Sequence, residues 1–191
     1  MTRAVFLDRD GTLNAEVGFV ARPEQLVVLP GVRDALAQLR SAGFTLVVVT
    51  NQSGVARGLY SESDLARVHE RLHEELDGLC AAFLHCPHHP EATGPYGGAC
   101  ACRKPGNGLL HQARELLGVA FDGSFLVGDS ARDLLMAAGL PGLTAIYAHS
   151  GKPPAAELQA LAAQRFTPAA EVPDLVAAAA WILRRETAAR S

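Results

Sequence analysis

Lysine is almost missing from this sequence of 191 residues: of 17 basic side chains, only Lys104 and Lys152 are lysines. A basic surplus is missing too. The 17 lysines and arginines stand against 20 aspartates and glutamates, a formal net charge of -3, which excludes the electrostatic footprint of a dedicated nucleic-acid binder. No run of about 18 apolar residues is available to span a membrane. The opening MTRAVFLDRDGT meets two acidic residues before an apolar stretch of signal-peptide length can form. Cysteine is sparse, and four in a chain of this length do not make a disulfide scaffold. Disorder is excluded by 49% apolar and only 19% charged residues. What remains is the expectation of a cytoplasmic, monomeric, single-domain protein over residues 1–191, an enzyme or small-molecule binder that buries its own core.

What is present is an alternation of short apolar runs with helical stretches. Ala4–Leu7, Thr45–Val49, Phe125–Val127 and Thr144–Tyr147 are continuous apolar runs, and Ala82–His85 is a weaker fifth. Continuous rather than alternating runs suit strands covered on both faces. Helices are expected over Val32–Ala42, Glu62–Leu79, Leu109–Leu117, Ala131–Ala138, Pro154–Ala163 and Val172–Arg185. Ser61 followed by Asp64 marks the start of the second of these. The pattern predicts an α/β fold, a three-layer parallel sheet of Rossmann-like kind with helices on both faces. Residues 85–105, rich in Pro, Gly, Cys and His, fit neither element.

In such sheets ligands bind at the carboxyl ends of the strands. Three expected strands end in Asp8, Thr50 and Asp129. Asp8 and Asp10 lie two apart where Gly11 lets the chain turn, and Asp133 falls one helical turn beyond Asp129. Like charges this close call for a cation, and hard carboxylate oxygens beside a phosphate suit Mg²⁺. The loop supplies softer donors. Cys86, His88, Cys100 and Cys102 form Cys-x-His and Cys-x-Cys pairs, three thiolates and an imidazole that would close a structural Zn²⁺ site spanning about residues 86–102. His89 competes with His88 for the imidazole position. A formal H-E-x-x-H match, His69 to His73, straddles the apolar face of its helix and reads as chance, and Cys80 reads as a small buried residue.

DRDGT after the first strand, Thr50-Asn51-Gln52 after the second, Lys104 before a helix and GDSARD after a later strand together resemble the haloacid dehalogenase superfamily of phosphotransferases, over roughly residues 4–150. The resemblance implies a catalytic set of Asp8, Asp10, Thr50 and Lys104. Asp8 would be the nucleophile that forms an aspartyl-phosphate, and Asp10 the general acid and base. Thr50 and Lys104 would hold the phosphoryl oxygens. Mg²⁺ would sit on Asp8, the Asp10 carbonyl and Asp129, with Asp133 in support. Within the superfamily, the Cys-x-His…Cys-x-Cys-Arg-Lys-Pro loop is similar to that of the heptose bisphosphate phosphatases, with histidinol phosphatases as the alternative and a silent binding module as a third. Only 41 residues separate Asp8 from Thr50, so no large cap domain fits. A flap carrying Glu16 and Phe19 would cover the site instead. Asn51, Gln52, Ser53, Arg103 and Arg57 are expected to contact a phosphorylated sugar, the two arginines taking a second phosphate.

Overall fold

The computed structural model describes residues 1–190. Six parallel strands form one sheet: β1 (Thr2–Leu7), β2 (Thr45–Asn51), β3 (Ala82–Cys86), β4 (Val119–Gly128), β5 (Thr144–Ala148) and β6 (Ala170–Val172), in the order β3-β2-β1-β4-β5-β6. The order reverses direction at β1, which lies between β2 and β4. That reversal opens a crevice at the carboxyl ends of these three strands.

The helices α1 (Val32–Ser41), α2 (Glu62–Glu75), α3 (Gly108–Leu117), α4 (Ala131–Leu134), α5 (Pro154–Ala163) and α6 (Leu175–Arg190) cover both faces. The strand period of two explains how. Val5, Leu7, Leu46, Val48, Phe125, Val127 and Ile146 face one way and pack with Leu36, Leu39, Leu72 and Ile182 of α1, α2 and α6. Phe6, Val47, Val49, Leu126 and Tyr147 face the other way, against Leu109, Leu110, Leu134 and Leu161 of α3, α4 and α5. A fully buried leucine contributes roughly 1.5–3 kcal/mol, so the two layers hold the sheet rigid beneath the crevice. The Ser61–Asp64 capping box starts α2 as expected. Ser61 Oγ accepts from the Asp64 N–H at 3.1 Å, and Asp64 Oδ2 accepts from the Ser61 N–H at 2.8 Å.

Four expectations are corrected. The stretch expected as one helix from Val172 contains the strand β6, and α6 begins only at Leu175, after a turn at Pro173-Asp174. Pro173 cannot donate to a helix ladder, and Asp174 caps the helix by accepting from the Ala177 N–H at 2.8 Å. α2 ends at Glu75, where Leu76 leaves helical geometry and Asp77-Gly78 take positive φ, rather than running to Leu79. The stretch expected as a helix over Ala131–Ala138 is one α-helical turn followed by a 3₁₀ turn, Leu135–Ala137. Strand β3 carries His85 and Cys86, so the first thiolate of the Cys/His loop stands on the sheet itself. Between β1 and β2 lie a 3₁₀ turn, Pro23–Gln25, and α1. Among the described residues no helix is long and apolar enough to cross a membrane.

Candidate active site

A cleft of about 190 Å³ opens over the ends of β1, β2 and β4. Asp8 follows β1 directly, and its N–H continues the ladder to the Val127 carbonyl at 2.9 Å. Thr50 is the next-to-last residue of β2, and Asp129 follows Gly128 at the end of β4. Lys104 reaches in from the loop before α3. Its ammonium donates to Asp8 Oδ1 at 2.5 Å and to Asp133 Oδ1 at 2.8 Å, with all three groups buried. Asn51 holds that lysine's backbone from both sides: its carbonyl accepts from the Lys104 N–H at 3.1 Å, and its amide donates to the Lys104 carbonyl at 3.4 Å.

The electrostatics follow from burial. Loss of water pushes the Asp8 carboxyl up to about 6, Asp133 adds to this, and Lys104 pulls it back. Burial and then the charges on Asp8 and Asp133 push Asp129 up to about 8. Asp133 goes the other way: burial opposes ionisation, but Lys104, Ser130 and Arg132 outweigh it and hold the carboxyl below its usual range. Asp133 thus anchors Lys104 and caps α4, accepting from the Ser130 N–H and hydroxyl. Asp10 also stays below its usual range. Burial again opposes this, but the Arg9 charge and hydrogen bonds from Arg9, Asn14 and Gln52 prevail.

Oxygens of Asp8, Asp129 and Asp133 lie within 4.8 Å of one another, and the buried Asp129 Oδ2 has no hydrogen-bond partner. Three hard oxygens, one of them orphaned and all mutually repelling, fit a small divalent cation such as Mg²⁺. The backbone crowds round the same oxygen. A Cβ at Gly11 would fall 2.6 Å from Asp129 Oδ2, and one at Gly151 only 2.0 Å away. Ser150 Oγ fastens the two loops by donating to the Gly11 carbonyl at 2.6 Å.

The softer donors converge beside this cleft. Sγ atoms of Cys86, Cys100 and Cys102 lie 3.1–3.5 Å apart, and His88 Nδ1 lies 3.7 Å from Cys86 and 3.5 Å from Cys102. A tetrahedron built on Zn–S bonds of about 2.3 Å has edges near 3.8 Å, so the cluster is slightly contracted but of the right size and shape. His89 stands outside it, its ring nitrogens occupied by Arg57 Nη2 at 2.7 Å and the Glu91 N–H at 3.3 Å. Arg103 follows the last cysteine and donates to the His88 carbonyl at 2.9 Å, so the Cys/His loop sets its direction.

Not every expected substrate contact lines the cleft. Glu16, Phe19, Asn51, Ser53 and Arg103 do. Arg57 is exposed and pairs with His89 instead. Gln52 is buried behind the cleft, where its amide donates to Asp10 Oδ2 at 2.9 Å and Thr50 Oγ1 at 2.8 Å. It lies just past the end of β2, where these bonds and one from the Tyr60 hydroxyl hold it under the site rather than in it. Ser130 lines the cleft as well, and Arg132 and Lys152 line it without having been anticipated. The scarcity of lysine was the available signal for Lys152, since both lysines of the chain meet here. His69 and His73 pack on Phe83 and join no metal-binding group among the described residues. Cys80 is buried, its thiol pushed up to about 12 by desolvation.

Comparison with known proteins agrees with this geometry. The family model described as haloacid dehalogenase-like hydrolase matches residues 13–140, starting just past the Asp8–Asp10 pair. The D-glycero-β-D-manno-heptose-1,7-bisphosphate 7-phosphatase of Pasteurella multocida is 41% identical over 160 residues, 80% of this chain and 85% of that protein. The enzyme of the same name from Salmonella typhi is 36% identical over 181 residues, 91% and 94% of the two chains. The solved D,D-heptose 1,7-bisphosphate phosphatase from B. bronchiseptica, complexed with magnesium and phosphate, superposes with a TM-score of 0.80 at 34% identity, covering 97% of this chain and 99% of that one. By fold, by family match and by these relatives, the chain belongs to the haloacid dehalogenase-like hydrolases and is a phosphoric monoester hydrolase.

Proposed function

We propose that this hydrolase removes the 7-phosphate of D-glycero-D-manno-heptose 1,7-bisphosphate through a phosphoryl group carried on Asp8. The observation that carries the bisphosphate reading is a set of three cleft cations outside any ion pair. Lys104 is committed to Asp8 and Asp133, yet Arg103, Arg132 and Lys152 line the same cleft and form no ion pair among the described residues. One transferred phosphoryl group does not need them all. A second phosphate does. The relatives named above support the heptose.

Asp8 attacks phosphorus with its free carboxylate oxygen, and the sugar alkoxide leaves. Lys104 neutralises charge on the phosphoryl oxygens while fixing Asp8. Thr50 donates its hydroxyl to the same group. Asp10 gives its proton to the leaving oxygen, then takes one from the water that opens the aspartyl-phosphate. Mg²⁺, held by Asp8, Asp129 and the Asp10 backbone with Asp133 behind them, would offset the negative charge gathered between carboxylates and phosphate. Zn²⁺ on Cys86, His88, Cys100 and Cys102 would have four protein ligands and no open position, so its part is to hold the loop that aims Arg103 and Lys104. The flap residues Glu16 and Phe19 close over the sugar. The protein is taken to act as a single-domain monomer in the cytoplasm, where such thiolates stay reduced.

The test is a substrate panel in Mg²⁺: both anomers of the heptose bisphosphate, the heptose 7-phosphate and histidinol phosphate. A charge-assisted contact contributes about 1.5–3 kcal/mol, so kcat/KM on a bisphosphate should exceed that on the monophosphate roughly 10- to 150-fold. Equal rates on histidinol phosphate or the monophosphate would overturn the reading.

A further inference from the structure

Tyr60 stands just before the α2 cap, buried and outside the cleft, and its hydroxyl donates to Gln52 Oε1 at 2.7 Å. Gln52 Nε2 in turn donates to both Asp10 Oδ2 and Thr50 Oγ1. We propose that Tyr60 is a positioning residue that keeps the Gln52 amide facing one way, as a donor to the acid–base carboxyl. The inference rests on the acid–base role given to Asp10 above.

The chemistry explains why orientation matters. While Asp10 is ionised, its own charge selects the amide N–H. Once Asp10 carries the proton it must deliver, that selection vanishes. A turned amide would then present Oε1, capture the proton and withhold it from the leaving oxygen. A hydroxyl fixed on Oε1 prevents the turn. A carboxyl oxygen has room to hold a proton and still accept from Nε2, so the proton stays available for transfer. Burial pushes the Tyr60 hydroxyl up to about 12, so it remains a donor throughout the working range.

The ring is held by packing, not by the hydrogen bond. A Cβ at Gly54 would fall 2.1 Å from it, and Phe19 of the flap lies edge-on with centroids 6.4 Å apart. Tyr60→Phe therefore removes one oxygen and keeps the shape.

The experiment compares two leaving groups. An aryl phosphate such as p-nitrophenyl phosphate departs without acid help, whereas a sugar phosphate needs the proton. For Tyr60→Phe, kcat/KM on the sugar phosphate, which reports the acid-assisted phosphoryl transfer and not the shared hydrolysis of the aspartyl-phosphate, should fall by up to about tenfold, the rate equivalent of one neutral hydrogen bond, with kcat/KM on the aryl phosphate within roughly twofold. Gln52→Leu should show the same selectivity with a larger fall. A general packing defect would lower both substrates together. Equal losses on the two substrates in both variants, or no loss on either, would overturn the proposal while leaving the phosphatase reading intact. A wild-type enzyme idle on every alkyl phosphate but active on the aryl one would overturn both, because an acid without work needs no positioning.

Discussion

Replacing Lys104 with Met leaves a similar volume but removes the one cation buried between Asp8 and Asp133, at 2.5 and 2.8 Å. Neither carboxylate can move to water, since their residues are 7% and 2% exposed. Breaking a buried ion pair by removing one partner costs about 3–5 kcal/mol, because the remaining charge stays desolvated. In a chain of this length each kcal/mol shifts Tm by roughly 2–4 °C, so a fall of about 6–20 °C is expected near pH 8 in magnesium-free buffer. The penalty is pH-dependent, and its sign follows from the carboxyls. Burial already raises Asp8 to about 6, and without Lys104 it rises further. A group whose folded pKa is raised stabilises the fold below its unfolded value, near 4, and loses that contribution as pH climbs through the folded value. The variant should therefore resemble the wild type near pH 5 and fall behind toward pH 8. Thermal and urea melts at both pH values measure this. An unchanged Tm at pH 8, or a larger deficit at pH 5, would refute the claim that Lys104 holds two buried charges.

Three further outcomes are expected. Asp8→Asn should lower kcat by several orders of magnitude with circular dichroism unchanged, and substantial turnover in that variant would remove the covalent step. Elemental analysis should find one zinc per chain that Cys102→Ser loses; zinc loss should lower Tm and raise KM while Mg²⁺ remains essential, and full activity on zinc alone would contradict the assignment. His69 is buried and its pKa is pressed down to about 3, chiefly by desolvation and next by Arg9. A depressed histidine destabilises the fold as pH drops below its unfolded value of about 6.5, by about 2 kcal/mol at pH 5, so His69→Leu should flatten the stability slope between pH 5 and 6.5, as urea titrations would show.

The apolar runs of β1, β2 and β5 were legible because strands buried on both faces leave continuous hydrophobic text. β6 was not. Ala170–Val172 is a three-residue edge with exposed Glu171 in its middle, and so short a segment carries no periodicity. The first half of β4, Val119–Ser124, was hidden for a similar reason, with Asp122 and Gly123 interrupting it. In the site, residues at strand ends could be placed because backbone direction dictates where they point. Residues off the strands could be placed only where the family resemblance carried them, as with Lys104 and Arg103. Lys152 reaches the cleft from the loop after β5 and Arg132 from the short helix α4, and Arg57 is drawn off by His89, a pairing 32 residues distant. Gln52 shares a stretch with Thr50 and Asn51, yet it lies past the end of β2 and joins the buried hydrogen-bond chain beneath the cleft.

The paired glycines over Asp129 carry a consequence for mutational tolerance. Gly11 is constrained twice, by its φ of +84° and by the 2.6 Å approach, whereas Gly151 is constrained by space alone. Every amino-acid replacement at either position adds at least one carbon, and that carbon lands on the orphaned carboxylate oxygen or on the opposing backbone, 2.9 Å away in both directions. These two codons should therefore be closed to missense variation. Ser150 between His149 and Gly151 should be open to threonine, which keeps the hydroxyl that ties the loops together. Inheritance at this mouth is thus governed by the absence of side chains, and a lineage could reshape the cleft wall through Arg103, Arg132 or Lys152 long before it could alter the floor around Asp129.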